Sequence, residues 1–226
     1  MSVRERTVGV IGGMGPEATV DFLRRVVAAT PAKDDADHIR VLVDNNPKIP
    51  SRLAALVDGT GEDPLPTLAA MAQGLEKQGA DFLVVPCNTA HYYLPRIGEA
   101  VTIPLLDMVA LAVAALPKVR RIGMLASPAV KNVGLYTSRL EAAGYEAVFP
   151  ENETPMLAVI RAVKAGDTGD AVRRAYADVA SALDADAFLI ACTELSVLGP
   201  PAGTAKPIVD ALDALVIATV ARAKGR

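Results

Sequence analysis

Short, unbroken apolar runs alternate with longer amphipathic stretches along the whole chain. Residues 7–11, 38–43, 82–85, 102–106, 121–126, 145–149, 188–190 and 207–208 read as strands. Most lack a polar-apolar alternation, the pattern of strands buried on both faces of a parallel sheet. Between them, 16–29, 66–78, 131–143, 154–165, 168–182 and 209–223 fit helices, with a shorter one after Thr89 that ends near Gly98. Pro16 suits a first helical position and Glu17 the positive end of a helix. Pro31, Gly79, Gly144 and Gly166 supply stops. Strands alternating with helices imply parallel sheets joined by right-handed crossovers, with ligands beyond the C-terminal strand ends. Met14, Ser127 and both cysteines, Cys87 and Cys192, fall at such ends.

The chain repeats itself. Phe82-Leu83-Val84-Val85 leads to Pro86-Cys87-Asn88-Thr89, and Phe188-Leu189-Ile190 leads to Ala191-Cys192-Thr193-Glu194. An Ala-Asp pair precedes each cysteine at the same distance, Ala80-Asp81 and Ala185-Asp186. A Pro-apolar-apolar-Asp string follows each, Pro104-Leu105-Leu106-Asp107 and Pro207-Ile208-Val209-Asp210. These matches describe two diverged copies of one unit, each with a cysteine at the end of a strand.

Composition narrows the class. At 226 residues, 51% of them apolar, the chain can build one large α/β domain or two small lobes. There is no Trp, and there are four Phe and five Tyr, which suits helix-covered parallel sheets better than an aromatic-rich sandwich. A net charge of −3 with mixed signs argues against nucleic acid or an anionic membrane as partner. The polar start, Met1 to Thr7, lacks the apolar core of a signal peptide, and no apolar run reaches the ~18 residues of a membrane span. A cytoplasmic protein with reduced thiols is expected.

A free cysteine is commonly just a small buried hydrophobe, and a disulfide is disfavoured in the cytoplasm. The repeat points further. Two cysteines at equivalent places in two halves face one another when the halves pack about a pseudo-twofold axis. Two alike acid/base groups on opposite faces of one ligand are what stereoinversion at a carbon needs. A thiol of pKa ~8.5 is only about 3% thiolate at pH 7, and a helix N-terminus after each strand is expected to raise that fraction. His91, four residues after Cys87, either faces the thiol or hydrogen-bonds in the core.

Gly12-Gly13-Met14-Gly15-Pro16-Glu17-Ala18-Thr19, Asn45-Asn46-Pro47-Lys48-Ile49-Pro50-Ser51-Arg52, Cys87-Asn88-Thr89-Ala90-His91-Tyr92 and Cys192-Thr193-Glu194 closely resemble the aspartate racemase branch of the aspartate/glutamate racemase superfamily. The likeness covers essentially the whole chain in order. It implies an isomerase that uses no cofactor and no metal, and is commonly a homodimer. It implies an α/β fold of two pseudo-symmetric lobes, each a parallel-sheet sandwich flanked by helices, with the active site in the interlobe cleft. Residues 1–106 plus 209–226 would form one lobe and 107–208 the other.

By that resemblance Cys87 and Cys192 are the acid/base pair of a racemase acting on a dicarboxylic amino acid. Asn88, Thr89 and Thr193 would bind the α-carboxylate, and Arg52 and Lys164 the side-chain carboxylate. Arginine offers a planar bidentate grip and lysine a point charge. Met14 and Ser127 are carried as further substrate contacts. Without the likeness, Lys164 reads as an ordinary lysine at a helix C-terminus and Arg52 as a surface arginine. The sequence departs from the family in places. Ser127-Pro128-Ala129-Val130 stands where a Thr-x-Gly-Thr string is usual, so Ser127 keeps one hydroxyl and Val130 loses another. Ala191 replaces a usual glycine and Ser51 a usual aspartate. These changes bear on the substrate rather than on the thiols.

Other readings differ in testable ways. Maleate isomerase and hydantoin racemase relatives reuse the cysteine positions, and a broad-specificity amino-acid racemase fits the same motifs. Gly13-Met14-Gly15-Pro16-Glu17-Ala18 fits the G-x-G-x-x-A of nucleotide binders, with Asp44 as ribose ligand, but Pro16 removes an amide that would cradle phosphate. A catalytically silent binder of small acids would need neither thiol.

Overall fold

The computed structural model describes residues 5–225; residues 1–4, part of the polar start read above, and residue 226 lie outside the described residues. Two parallel sheets carry the fold. β1 (Val8–Gly12), β2 (Val41–Asn45) and β3 (Phe82–Val84) lie in the order β2-β1-β3. β4 (Arg121–Ala126), β5 (Glu146–Val148), β6 (Ala187–Ala191) and β7 (Ile208–Asp210) lie in the order β5-β4-β6-β7. The plan is the same in both. The first strand of each half is central, the second flanks it, and the cysteine strand lies on its other side.

The repeated residues make equivalent bonds. The Asp81 and Asp186 amides donate to the carbonyls of Thr7 and Arg121, each at 2.8 Å. Their carboxylates accept back from the Thr7 amide at 2.7 Å and the Arg121 amide at 2.8 Å. A side chain at Gly9 would meet Leu83 at 2.6 Å and Ala80 at 2.9 Å; one at Gly123 would meet Phe188 at 2.6 Å and Ala185 at 3.0 Å. The alanine of each Ala-Asp pair is thus small because a glycine of the central strand packs on it.

The expected strand over 102–106 is reduced to a single bridge, Leu83 to Leu105. The Leu83 amide donates to the Pro104 carbonyl and the Leu106 amide returns to the Leu83 carbonyl, but Pro104 itself has no N–H to extend the ladder. Its counterpart bond joins Phe188 to the Pro207 carbonyl at 2.9 Å. There pairing continues as β7 through Asp210, so β7 straddles the expected lobe boundary at 208/209.

The helices are α1 (Pro16–Ala29), α2 (Leu65–Lys77), α3 (Leu94–Gly98), α4 (Met108–Ala114), α5 (Pro128–Asn132), α6 (Thr137–Ala142), α7 (Thr154–Lys164), α8 (Asp170–Ser181), α9 (Thr193–Leu198) and α10 (Ala211–Ala223). The single helix expected over 131–143 is two, α5 and α6, parted near Gly134 at φ +61. α4 was not expected; Asp107 caps it by accepting from the Ala110 amide. Asp210 does the same for α10 through Leu212, which moves that helix start from 209 to Ala211.

α10 packs on α1 and on α4, and α4 on α6. Phe22, Val109, Tyr136 and Leu215 share one buried cluster that draws on both halves. Outer clusters cover the far face of each sheet, around Leu68 and Leu83 in one half and around Ile160 and Phe188 in the other. Each parallel sheet is therefore flanked by helices on both faces, as its uninterrupted apolar strands require. Among the described residues no helix is long and apolar enough to cross a membrane.

Candidate active site

The C-terminal ends of β3 and β6 open onto one small cavity. Seven of the expected residues line it: Met14, Arg52, Cys87, Thr89, Ser127, Lys164 and Cys192. Ser51, Leu53, Ile160 and Glu194 join them. Asn88 and Thr193 are buried beside the thiols and do not line it. The free volume is about 30 Å³, room for a water and not for an amino acid. Ser51, Arg52, Lys164 and Glu194 also line an outer basin of about 430 Å³ beside Glu17, Ile49 and Val197, so these four side chains form the partition between cavity and basin.

Both thiols are free and buried. Cys192 stands at the N-cap of α9 and donates to Oε2 of Glu194 at 3.1 Å. Burial pushes this thiol well above the ordinary range, and the Glu194 charge and hydrogen bond push the same way, against Lys164. Burial also raises Cys87, opposed by Arg52, the Ala90 amide and Lys164. The expected lowering by a helix N-terminus is thus overridden. α9 has six residues, and the segment after Cys87 opens as a 3₁₀ turn, Thr89–Tyr93, too short to offset desolvation.

The residue after each cysteine carries an orphaned donor. Tyr136 donates its hydroxyl to Asn88 Oδ1 at 2.5 Å, which leaves Asn88 Nδ2 buried with no partner. Thr193 Oγ1 is buried without a partner as well. Unsatisfied buried polar atoms are costly, and these two sit at equivalent places beside the two thiols.

The residue four places after each cysteine is structural. His91 Nε2 accepts from the Met108 amide at 3.1 Å, so Nδ1 carries the proton and donates to the Cys87 carbonyl at 2.8 Å. His91 therefore braces the backbone and does not face the thiol; burial holds its pKa down. In the other half the Ser196 hydroxyl donates to Asp210 Oδ1 at 2.7 Å.

Arg52 is held by the carbonyls of Pro50 at 2.8 Å and Ile49 at 3.3 Å, which aim it from the loop. It precedes a π-helical turn, Ala54–Asp58, which packs on α5 of the other half. Lys164, at the end of α7, pairs with Glu194 Oε1 at 3.4 Å. Thr89 and Ser127 bring hydroxyls from the two halves to 3.5 Å. Val130 is fully buried in the shared core and lines no part of the cavity. In the glycine turn, the Gly13 amide is taken by Thr19 Oγ1 at 2.9 Å, and a Cβ on Gly13 would strike the Asn46 backbone. That packing explains the glycine without a phosphate.

Glu194 is the main residue that sequence reasoning left without a role. Its signal was its place in the first turn after Cys192. Ile160 lies one turn before Lys164 on the same face of α7, so it too was within reach. Among the described residues no cluster of three or more His, Cys, Asp or Glu side chains is arranged to hold a metal ion.

The Asp/Glu/hydantoin racemase family model matches residues 11–219. The chain is similar to Picrophilus torridus aspartate racemase, with a TM-score of 0.86 and 30% identity over 97% of this chain and 94% of that one. It is 25% identical over 223 residues to the broad-specificity amino-acid racemase RacX of Bacillus subtilis, covering 94% of this chain and 96% of that protein. Glutamate racemase from Thermus thermophilus shares the fold at a TM-score of 0.65 and 18% identity, over 98% of this chain and 82% of that one.

Proposed function

Because the chain belongs to the Asp/Glu/hydantoin racemase family, we propose that it racemises a dicarboxylic amino acid, aspartate or glutamate, by passing protons between Cα and the thiols of Cys87 and Cys192, without a cofactor. The observation that carries this reading is the small cavity that receives one thiol from each of two equivalent strand ends and that a substrate must widen to enter.

Both thiols are protonated at rest, so a thiolate must be made. The Cys192 proton passes to Glu194 Oε2 along the existing hydrogen bond. The thiolate then takes the Cα proton, and the electron pair spreads into the α-carboxylate. Cys87 delivers its proton to the opposite face and becomes the thiolate, favoured there by Arg52, the Ala90 amide and Lys164. Asn88 Nδ2 and Thr193 Oγ1 are donors for the α-carboxylate, where charge grows in the transition state. Protonation of Glu194 also strips Lys164 of its counter-ion. The step that activates Cys192 thus frees Lys164 to join Arg52 on the substrate's second carboxylate.

A second reading, a racemase of broad specificity, draws on the apolar wall of Met14, Leu53 and Ile160 and on the pairing of Lys164 with Glu194. It also draws on the likeness to RacX. The test is incubation of the metal-stripped protein in D₂O with L-aspartate, L-glutamate and neutral or cationic amino acids. Cα exchange is followed by NMR and enantiomer ratio by chiral chromatography. Exchange and inversion confined to the acids support the first reading; similar rates across the panel support the second. No exchange on any of them sinks both.

A further inference from the structure

Given the two cysteines as the reacting pair, we propose that two reciprocal ion pairs, Arg25–Asp210 and Arg139–Asp107, are positioning pairs, each setting the strand-to-helix corner that carries one thiol. The pairs are related by the internal repeat, and each joins one sequence copy, ending at Asp107 or Asp210, to the other. Arg25 lies on α1 and Arg139 on α6. Each stands seventeen residues after the central-strand residue, Val8 or Ile122, that pairs with the first residue of the cysteine strand. Asp107 and Asp210 close the two Pro-apolar-apolar-Asp strings, so each half lends its arginine to the other half's aspartate.

Each aspartate reaches its cysteine through the residue four places beyond it. Asp210 Oδ1 accepts from the Ser196 hydroxyl at 2.7 Å and the Leu212 amide at 2.9 Å, while Oδ2 takes Arg25 at 2.7 Å. Arg25 also donates to the Ser196 carbonyl at 2.5 Å and pairs with Asp21 and Asp213, each at 2.7 Å. The far end of the six-residue helix headed by Cys192, Thr193 and Glu194 is thereby held from two sides. In the other half Arg139 meets Asp107 Oδ2 at 2.6 Å, Asp107 caps α4, and the first amide of α4 binds His91, which holds the Cys87 carbonyl.

The two pairs differ in grip. The Arg25 and Asp210 side chains are 15% and 8% exposed, against 44% and 30% for Arg139 and Asp107. Buried, multiply bonded pairs hold geometry more tightly than solvated ones. The effect at Cys192 is therefore larger than that at Cys87.

The test reads each cysteine separately, on the full-length protein without substrate. Iodoacetamide labelling is followed over time and quantified at each cysteine by peptide mass spectrometry. Arg25→Met is expected to speed labelling of Cys192 about tenfold with Cys87 unchanged, and Arg139→Met to speed Cys87 about two- to threefold with Cys192 unchanged. Arg25→Lys, which keeps the charge but cannot span Asp210 and the Ser196 carbonyl together, falls between parent and Arg25→Met. It also keeps the question open to measurement if the Met variant does not fold. Both cysteines moving together, or neither moving, overturns the assignment, since general loosening does not choose between halves. Failure of Cα exchange in the parent would sink the racemase reading instead and leave the labelling result standing.

Discussion

Cys192 and Glu194 share a hydrogen bond of 3.1 Å, and the second oxygen of that carboxylate lies 3.4 Å from the Lys164 ammonium. The carboxylate both raises the thiol and offers a base for its proton. Glu194→Gln keeps the shape and removes both effects. Labelling of Cys192 should then reach its thiolate plateau at lower pH than in the parent. Racemisation should fall about 10²-fold, because an amide cannot take the proton. An unchanged rate with an unchanged labelling profile would remove Glu194 from the chemistry.

The raised thiols predict an alkaline loss of stability. An unfolded cysteine loses its proton near pH ~8.5. The folded chain keeps both protons to higher pH, by burial at Cys87 and by burial plus Glu194 at Cys192. Above ~8.5 the folded state therefore binds more protons than the unfolded one, and stability falls as pH rises. Urea midpoints between about pH 8 and pH 10 should decline in the parent and decline less in the Cys87→Ser/Cys192→Ser double variant. Parallel declines would contradict the raised thiols.

His91 predicts the opposite slope in acid. Burial lowers its pKa, and both ring nitrogens are committed to backbone groups in the neutral form. Its contribution is complete above ~6.5 and is lost as pH falls through the lower folded value. His91→Leu strands the Cys87 carbonyl and the Met108 amide and should cost roughly 2–4 kcal/mol at neutral pH. The same change should flatten the parent's decline in thermal midpoint below about pH 6.

The glycine pair of the two central strands gives a packing test. Gly9→Ala and Gly123→Ala each force a methyl to within 2.6 Å of a neighbouring core side chain. Each should destabilise by about 1–3 kcal/mol in denaturant titrations, with similar costs in the two halves. A neutral result at either site would mean that the two sheets are not packed alike there.

Arg52 is part of the partition, and its charge opposes the rise in the Cys87 pKa that burial causes. Arg52→Ala should raise KM for aspartate by roughly tenfold or more and change KM for alanine little, with a smaller drop in kcat for both. Equal effects on the two KM values would remove its role in gripping a side-chain carboxylate.

Much of the architecture was legible because the chain states it twice. The paired Ala-Asp and Pro-apolar-apolar-Asp strings marked equivalent strands, and both sheets place them so. Apolar runs are a poor guide where proline intervenes, which is why 102–106 overreached. α4 was hidden because its capping aspartate, Asp107, entered the sequence reading as the close of the Pro-apolar-apolar-Asp string. At the cavity, seven of the nine expected residues line one space, set there by strand ends, helix ends and the loops beside them, while Asn88 and Thr193 lie buried next to the thiols. The thiol environment was not legible. It depends on how fully two halves close over the site, and on Glu194 folding back on Cys192, neither of which spacing along the chain records.

The narrow cavity has a consequence for how this protein survives in air. Oxidation of a cysteine to a sulfenic acid begins from an accessible thiolate. Here both sulfurs hold their protons more tightly than an ordinary cysteine and face a space of about 30 Å³ behind a wall of charged side chains. Peroxide and disulfide reagents are therefore expected to act slowly on the ligand-free chain. On the proposed chemistry, sensitivity to such reagents becomes a property of turnover, because only there is a thiolate made.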